Sequence, residues 1–151
     1  MSKVDDDWMR DHTAAPPVSR ILETALYADD LSVTSSFYKD IFGFAALVDT
    51  PRLCALDIGG RSVLLIFKRG ATAGGLTTDT GFIPPHDANG PAHFAFAIDF
   101  EVLPRWEAHL ASKGIEIESR VEWERGGVSL YFRDPDGHSV ELVTPGTWAT
   151  Y

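Results

Sequence analysis

Hydrophobic and polar positions along this chain follow the same order of patterns twice. Residues 19–28 alternate between apolar and polar side chains, as expected for a strand with one buried face. Residues 31–42 instead repeat apolar side chains at intervals of three and four, which predicts an amphipathic helix. Asp29 and Asp30 offer N-caps for this helix, and Gly43 ends it. Three more alternating segments complete the first half, at about 44–49, 52–58 and 61–67.

The second half of the chain repeats this order. Its segment His93-Phe94-Ala95-Phe96-Ala97 corresponds to Glu23-Thr24-Ala25-Leu26-Tyr27 near the start of the first half. A helix is predicted at about 102–113, and strands are predicted at about 92–98, 115–123, 127–133 and 138–144. Repeated units of this kind bury their apolar faces against each other. We therefore predict an α+β fold in which two tandem βαβββ modules form a curved mixed sheet around a ligand cup, with the helices outside.

These patterns divide the chain into five parts. They are an N-terminal arm (1–18), a first module (19–67), a connector (68–91), a second module (92–146) and a C-terminal tail (147–151). At this length the two modules are expected to form one domain. The connector is rich in Gly, Thr and Pro, and loops of its length are often functional lids or linkers.

Composition and charge exclude some classes of function. The chain has 151 residues and a formal net charge of -9, which argues against a nucleic-acid partner because phosphate binding needs a basic surface. It contains one cysteine, Cys54, so no intrachain disulfide can form and a reducing cytoplasm is the expected compartment. No segment approaches the ~20 consecutive apolar residues that a membrane span requires. We therefore expect a cytoplasmic protein with no nucleic-acid or membrane partner.

Three segments carry a resemblance to a known family. They are 25–31 (ALYADDL), 37–44 (FYKDIFGF) and, above all, 131–142 (YFRDPDGHSVEL). Over roughly residues 19–146 the chain resembles the vicinal oxygen chelate superfamily. That superfamily includes glyoxalase I, extradiol dioxygenases, methylmalonyl-CoA epimerase, the fosfomycin-resistance enzymes and the bleomycin-resistance proteins. Because one fold serves several reactions here, the resemblance implies a fold and a kind of site but not one activity.

The resemblance implies a divalent-metal site with three protein ligands. The family places a ligand on the first strand of each module and on the last strand of the second, and the matching residues are Glu23, His93 and Glu141. The family usually has His, sometimes Gln, where this chain has Glu23. At the fourth ligand position of glyoxalase I-like members the matching residue is Leu64, which cannot bind a metal. Two carboxylates and one imidazole suit an octahedral Mn, Fe, Ni, Co or Zn ion.

The same residues indicate how catalysis and substrate binding would work. Three protein ligands leave metal positions for two neighbouring oxygens of a small-molecule substrate, and the metal would act as a Lewis acid. Either Glu141 or Glu23 is expected to leave the metal and act as the catalytic base. Strand alternation places further polar side chains toward the cup, and the predicted substrate-binding residues are Tyr27, Ser129, Tyr131 and Arg133.

Two other histidines and an acidic turn are interpreted as structural. His86 lies in the connector and could cap the cup, although an exposed loop histidine is the simpler interpretation. His138 points away from Glu141 by strand alternation and adjoins the turn Asp134-Pro135-Asp136-Gly137. The carboxylates of this turn are expected to accept hydrogen bonds from nearby backbone amides.

The leading hypothesis is a glyoxalase-like metalloenzyme with lyase or isomerase proton-transfer chemistry, similar to lactoylglutathione lyase. One alternative is a metal-free protein that sequesters a ligand, as the bleomycin-resistance proteins do. Another is a thiol transferase of the fosfomycin type or an extradiol dioxygenase. The habit of the family favours a homodimer, in which the modules pair either within one chain or between two chains.

Overall fold

The computed structural model describes residues 15–151, so most of the predicted arm, residues 1–14, lies outside the described residues. The first half contains β1 (Glu23–Ala28), α1 (Leu31–Phe42), β2 (Ala46–Asp49), β3 (Leu53–Ile58) and β4 (Ser62–Lys68). The connector adds a short hairpin of β5 (Leu76–Thr78) and β6 (Gly81–Ile83). The second half contains β7 (His93–Ala97), a 3-10 turn (Phe100–Val102), α2 (Leu103–Ser112), β8 (Ser119–Glu122), β9 (Val128–Arg133) and β10 (Ser139–Val143). The predicted α+β fold with two βαβββ modules is confirmed.

Both modules build their sheet in the same strand order. The first sheet has the order β1-β4-β3-β2, and the second has the order β7-β10-β9-β8. In each sheet the first strand pairs in parallel with the last strand, and the other neighbours are antiparallel. The strands therefore form two open four-stranded mixed sheets rather than one continuous sheet.

Strand β1 is shorter than the sequence pattern predicts. It begins at Glu23, four residues later than expected, and Val18 and Ile21 before it are 88% and 79% exposed. The reason is that β4, its only neighbour in the sheet among residues 15–151, begins at Ser62. The backbone oxygen of Leu22 still accepts a bond from that strand, but no strand of the described part of the chain pairs with residues 15–21.

Helix α1 begins and ends where the sequence indicates. Asp30 is the N-cap, because its Oδ1 accepts a hydrogen bond from the Val33 backbone N–H at 3.2 Å. Gly43 ends the helix in the left-handed conformation, with a φ of 70°, and its N–H donates to the Lys39 carbonyl at 2.9 Å. Within residues 15–151 no helix is both long and apolar enough to span a membrane.

One aromatic cluster joins the two modules. The ring centroid of Phe42, at the end of α1, lies 4.8 Å from that of Phe96 and 5.4 Å from that of Trp106. Tyr38, one turn earlier, is fully buried and lies 6.1 Å from Phe94. Aromatic rings at these separations gain both from burial and from ring–ring contact. The helix of the first module therefore packs against the second module, and the modules share one core.

Each sheet has one face toward this core and one face away from it. In β10, Leu142 is buried in the core, so Glu141 points to the opposite face. In β1, Leu26 is buried in the core, so Glu23 and Tyr27 point to the opposite face. We call the side of the two sheets that carries Glu23, Tyr27 and Glu141 the site face.

The connector is anchored to the first sheet. The guanidinium of Arg69 donates hydrogen bonds to the carboxylate of Asp29 at 2.7 Å and to the backbone oxygen of Tyr27 at 3.1 Å. The backbone N–H of His86 donates to the carbonyl of Thr72 at 3.2 Å, and the Thr72 hydroxyl donates to the carbonyl of His86. These contacts bring the end of the connector back to β1.

Candidate functional site

His93 and Glu141 form a close pair on the site face. Strands β7 and β10 are parallel neighbours, with His93 opposite Ser139 and Glu141 two residues further along. His93 Nε2 lies 3.2 Å from Glu141 Oε2, and the Glu141 side chain is only 8% exposed. His93 Nδ1 lies 3.0 Å from the backbone oxygen of Ser139. A carbonyl oxygen only accepts, so Nδ1 carries a proton, and in a neutral imidazole the Nε2 lone pair would face Glu141.

The donor chemistry of this pair fits a divalent metal. A lone pair and a carboxylate oxygen that face each other at 3.2 Å repel unless a cation lies between them. That cation is either a second proton on His93 or a metal ion bound by both atoms. Ligand atoms at adjacent octahedral positions, with bonds of about 2.1 Å, lie about 3.0 Å apart, which is close to the observed separation.

A chain of side-chain hydrogen bonds holds Glu141 in place. The Ser129 hydroxyl, on the adjacent strand β9, donates to Glu141 Oε1 at 2.5 Å. The indole N–H of Trp123 in turn donates to the Ser129 oxygen at 2.8 Å. Ser129 is fully buried, so its hydroxyl orients Glu141 and leaves Oε2 directed at His93. The role of Ser129 in substrate binding stays a prediction.

Glu23 lies on the site face at the exposed start of β1. Among residues 15–151, Glu23, His93 and Glu141 do not form a group whose ligand atoms all lie within 4.8 Å of one another. One chain therefore brings together two of the three predicted metal ligands and leaves the third apart. The assignment of Glu23 as a ligand stays a prediction.

Leu65 occupies the position that matches the fourth metal ligand of glyoxalase I-like members. The prediction that Leu64 occupies it is wrong. In the second module Ala95 pairs with Glu141, and in the first module the equivalent Ala25 pairs with Leu65. Leu64 is 2% exposed and points into the core. The error arises because the first module has one more residue between the turn glycine and this position. Since leucine binds no metal in either place, the limit of three protein ligands is unchanged.

Tyr131 and Arg133 share the site face of β9 but have different surroundings. Tyr131 pairs with Glu141 across the sheet, and its ring centroid lies 6.0 Å from that of His93. Burial and the charge of Glu141 raise the pKa of Tyr131, so its hydroxyl stays protonated. Arg133 instead donates two hydrogen bonds to the carboxylate of Glu118, at 2.6 and 3.0 Å. Of the two predicted substrate-binding residues, only Tyr131 lies beside the histidine–carboxylate pair.

Tyr27, the remaining predicted substrate-binding residue, contacts a histidine of the connector. Its hydroxyl oxygen lies 2.6 Å from His86 Nδ1. Both rings also pack against Phe67, which pairs with Tyr27 in the parallel ladder. The interpretation of His86 as an exposed loop histidine is wrong, because the aromatic rings around it leave it only partly exposed.

Asp134, Asp136 and His138 form the one group of three possible metal ligands found among the described residues. Every ligand atom of this group already has a protein partner. The Asp134 carboxylate accepts from the Tyr38 hydroxyl and from the backbone N–H groups of Asp136 and His138. The Asp136 carboxylate accepts from the Asp29 backbone N–H and the Thr34 hydroxyl. The two ring nitrogens of His138 are bonded to the backbone N–H of Ala92 and to the backbone oxygen of Tyr27. The expected capping of backbone amides by the turn carboxylates is confirmed. The group also connects the two modules, which the sequence did not indicate.

Two contacts of the site were not expected from the sequence, namely Trp123 with Ser129 and Tyr27 with His86. Trp123 follows the last residue of β8, and His86 lies in the connector. The connector has no periodic pattern that would indicate where the His86 side chain points, and the predicted strand 115–123 ends one residue before Trp123 in the structure. The available signal was the residue type alone, since a tryptophan or histidine near a polar strand face commonly hydrogen-bonds to it.

The fold and the site together define a class of protein. It has two βαβββ modules, each with an open four-stranded sheet, and a histidine–carboxylate pair on the sheet face away from the helices. The sequence matches the Glyoxalase/Bleomycin resistance protein/Dioxygenase superfamily over residues 20–142. This match covers most of the chain, and the chain belongs to that superfamily.

Relatives with different names resemble this chain to a similar degree. It is 35% identical over 116 residues to a metallothiol transferase FosB of Bacillus licheniformis, which covers 76% of this chain and 68% of that protein. It is 33% identical over 128 residues to biphenyl-2,3-diol 1,2-dioxygenase 3 of Rhodococcus globerulus, covering 82% and 62%. The structure of a lactoylglutathione lyase from Agrobacterium tumefaciens matches with a TM-score of 0.81 and 35% identity, over 89% of this chain and 99% of that one. Membership of the superfamily therefore does not select one reaction.

Proposed function

We propose that this protein is a divalent-metal-dependent enzyme of the glyoxalase type, acting on a small molecule that binds the metal through two neighbouring oxygens. The observation that carries this proposal is the position of His93 Nε2, which faces the Glu141 carboxylate at 3.2 Å while Nδ1 is bonded to the Ser139 carbonyl. A neutral imidazole and a carboxylate so arranged match two ligands of one ion. The similarity to a lactoylglutathione lyase along the whole of that chain supports lyase or isomerase proton transfer as the leading reaction class.

Glu23 is the proposed third ligand, and a second copy of the chain contributes it. Glu23 is exposed, and the residues before it, Ile21 and Leu22, are 79% and 55% exposed. Apolar side chains next to a site carboxylate fit contact with another subunit better than contact with water. A homodimer would bring Glu23 of one chain to His93 and Glu141 of the other and so complete two sites.

The proposed ligands also differ in how firmly the protein holds them. A bound Mn, Fe, Ni, Co or Zn ion supplies a Lewis acid that stabilises negative charge developing on a substrate oxygen. Glu141 is buried and held by Ser129, which suits a permanent ligand. Glu23 is exposed and therefore freer to move, which makes it the better candidate to accept a proton from the substrate.

Thiol transfer to an epoxide is the second candidate reaction. The 35% identity to a metallothiol transferase favours it. The contact between Arg133 and Glu118 counts against a phosphonate substrate, because that guanidinium is already paired with a carboxylate. Assaying the metal-loaded protein with a hemithioacetal, and with an epoxide plus a thiol, separates the two candidates.

Metal analysis tests the proposal. Inductively coupled plasma mass spectrometry of untagged protein is expected to find near-stoichiometric Mn, Fe, Ni, Co or Zn. Glu23→Ala, His93→Ala and Glu141→Ala should each lose that metal, because each removes one of the proposed ligands. Glu116→Ala, which changes an exposed carboxylate between α2 and β8, should keep it. Protein that holds no metal, and shows no thermal shift with any of these ions, would favour the metal-free ligand-sequestering alternative.

Mixed dimers test whether Glu23 acts across subunits. Glu23→Ala and His93→Ala chains are each expected to be metal-free alone. After they are unfolded together and refolded, half of the dimers should be mixed, and each mixed dimer should contain one intact site. The mixture should therefore recover about one quarter of the wild-type metal content. No recovery, from subunits shown to exchange, would mean that Glu23 is not supplied by the second chain.

A further inference from the structure

His86 lies over the site face of the first sheet. Tyr27 in β1 and Phe67 in β4 are paired in the parallel ladder, and their neighbours Leu26 and Ile66 are buried in the core. Tyr27 and Phe67 therefore point to the site face. The ring centroid of His86 lies 4.8 Å from that of Phe67 and 5.8 Å from that of Tyr27. The connector thus crosses the site face at the end of β1 and places a histidine there.

One ring nitrogen of His86 is bonded to Tyr27, and the other is open. Burial and the negative charge of Asp87 raise the pKa of Tyr27, so its hydroxyl keeps its proton, and its oxygen lies 2.6 Å from His86 Nδ1. When this hydroxyl donates to Nδ1, the hydrogen of the neutral imidazole lies on Nε2. Within the part of the chain that the structure describes, every buried side-chain nitrogen or oxygen has a partner. Nε2 makes no hydrogen bond to these residues, so it is accessible from solvent.

The backbone of His86 is fixed separately from its ring. Thr72 bonds both the N–H and the carbonyl of His86, and Arg69 bonds to the backbone of β1 and of the following connector residues. The connector therefore stays in place without the Tyr27 hydroxyl. The contact between Tyr27 and His86 instead determines which nitrogen of the ring carries the hydrogen and how the ring is oriented.

We propose that His86 is a ligand-binding residue of this site and that Tyr27 positions it. The Nε2–H group donates a hydrogen bond to a carbonyl or carboxylate oxygen of the substrate. Tyr27 is four residues from Glu23 on the same strand face, which places their Cα atoms about 13 Å apart. The contacted oxygen therefore lies far from the two oxygens held at the metal.

This geometry defines a class of substrate. The substrate is an extended molecule with two neighbouring oxygens at one end and a hydrogen-bond acceptor, such as a carboxylate, at the other. The inference rests on the proposed function, because Glu23 marks the metal end of the site. It adds a second contact that a short chelating molecule cannot reach.

Two probes of different length test the inference on the metal-loaded protein. S-lactoylglutathione carries neighbouring oxygens and distant carboxylates, whereas lactate carries neighbouring oxygens alone. His86→Ala should weaken calorimetric binding of S-lactoylglutathione about tenfold, the effect of one hydrogen bond to a charged group, and leave lactate binding unchanged. Tyr27→Phe should weaken the binding of S-lactoylglutathione by a smaller factor. Thr78→Val, which removes a bond within the connector hairpin and none to His86, should change neither affinity.

A spectroscopic measurement separates ligand binding by His86 from a purely structural role. In long-range proton–nitrogen NMR spectra, S-lactoylglutathione should shift the His86 Nε2 signal and lactate should not. His86→Ala with unchanged affinity for S-lactoylglutathione, or with equal losses for both probes, would overturn the inference. Metal content measured on the same samples distinguishes the two proposals. Wild-type protein without metal contradicts the proposed function. If the metal content is full and His86→Ala either keeps its affinity for S-lactoylglutathione or loses affinity equally for both probes, only the role of His86 is contradicted.

Discussion

Replacing Asp134 by alanine is expected to lower the free energy of unfolding by about 3–5 kcal/mol. Asp134 is 5% exposed, and its carboxylate accepts hydrogen bonds from the Tyr38 hydroxyl at 2.7 Å and from the backbone N–H groups of Asp136 and His138 at 3.0 and 2.9 Å. Alanine would leave these donors without an acceptor, and each buried unpaired donor costs about 1–3 kcal/mol. Urea denaturation of the metal-free protein, followed by tryptophan fluorescence, measures the change.

The bond between Asp134 and Tyr38 explains why the effect should exceed that of an ordinary turn residue. Tyr38 belongs to the helix of the first module, and Asp134 follows β9 of the second. Burial, together with the charge of Asp134, raises the pKa of Tyr38, so the hydroxyl keeps its proton and donates across the shared core. Tyr38→Phe is the matched control, because it removes one donor and should cost only about 1–2 kcal/mol. A loss for Asp134→Ala no larger than for Tyr38→Phe would contradict this account.

The fold was predictable because both its repeat and its local signals are carried by neighbouring residues. The two copies share the order of strand and helix patterns, and the structure gives both sheets the same strand order. Asp30 and Gly43 mark the ends of α1 through bonds to residues within one turn. The start of β1 was not predictable in this way, since it depends on where its neighbour β4 begins.

The candidate site was predictable to the extent that strand pairing determines it. His93 and Glu141 meet because β7 and β10 are parallel neighbours within one module. Strand alternation also placed Glu23 on the site face. Alternation within a strand does not indicate how far Glu23, in the first sheet, lies from His93 and Glu141 in the second. Contacts made by connector residues such as His86 have no periodic signal, and aligning the two modules from their turn glycines misplaced the fourth ligand position by one residue.

Replacing Glu141 by glutamine is expected to change metal affinity and stability in opposite directions. An amide is a much weaker ligand than a carboxylate, so affinity for added Mn or Ni should fall at least about 100-fold, more than the loss of a group that only orients a ligand. In the metal-free protein the amide oxygen still accepts from Ser129, and the new NH₂ group donates to His93 Nε2. This removes a buried charge that faces a lone pair, so metal-free stability should rise by about 1–2 kcal/mol.

Whether Glu141→Gln raises or lowers the stability of the metal-free protein shows which cation the pair of His93 and Glu141 binds, a metal ion or a second proton. At pH 8.5, well above the ordinary histidine pKa of about 6.5, a neutral imidazole gains a hydrogen bond from Gln at position 141, and urea denaturation should show the increase. If His93 instead carries a second proton, the pair is already an ion pair, and Glu141→Gln should destabilise the metal-free protein. Glu116→Gln, on the exposed surface, should change neither quantity. We expect Glu141→Gln to raise the stability of the metal-free protein and to lower its metal affinity only if Glu141 serves as a metal ligand and destabilises the fold when no metal is bound.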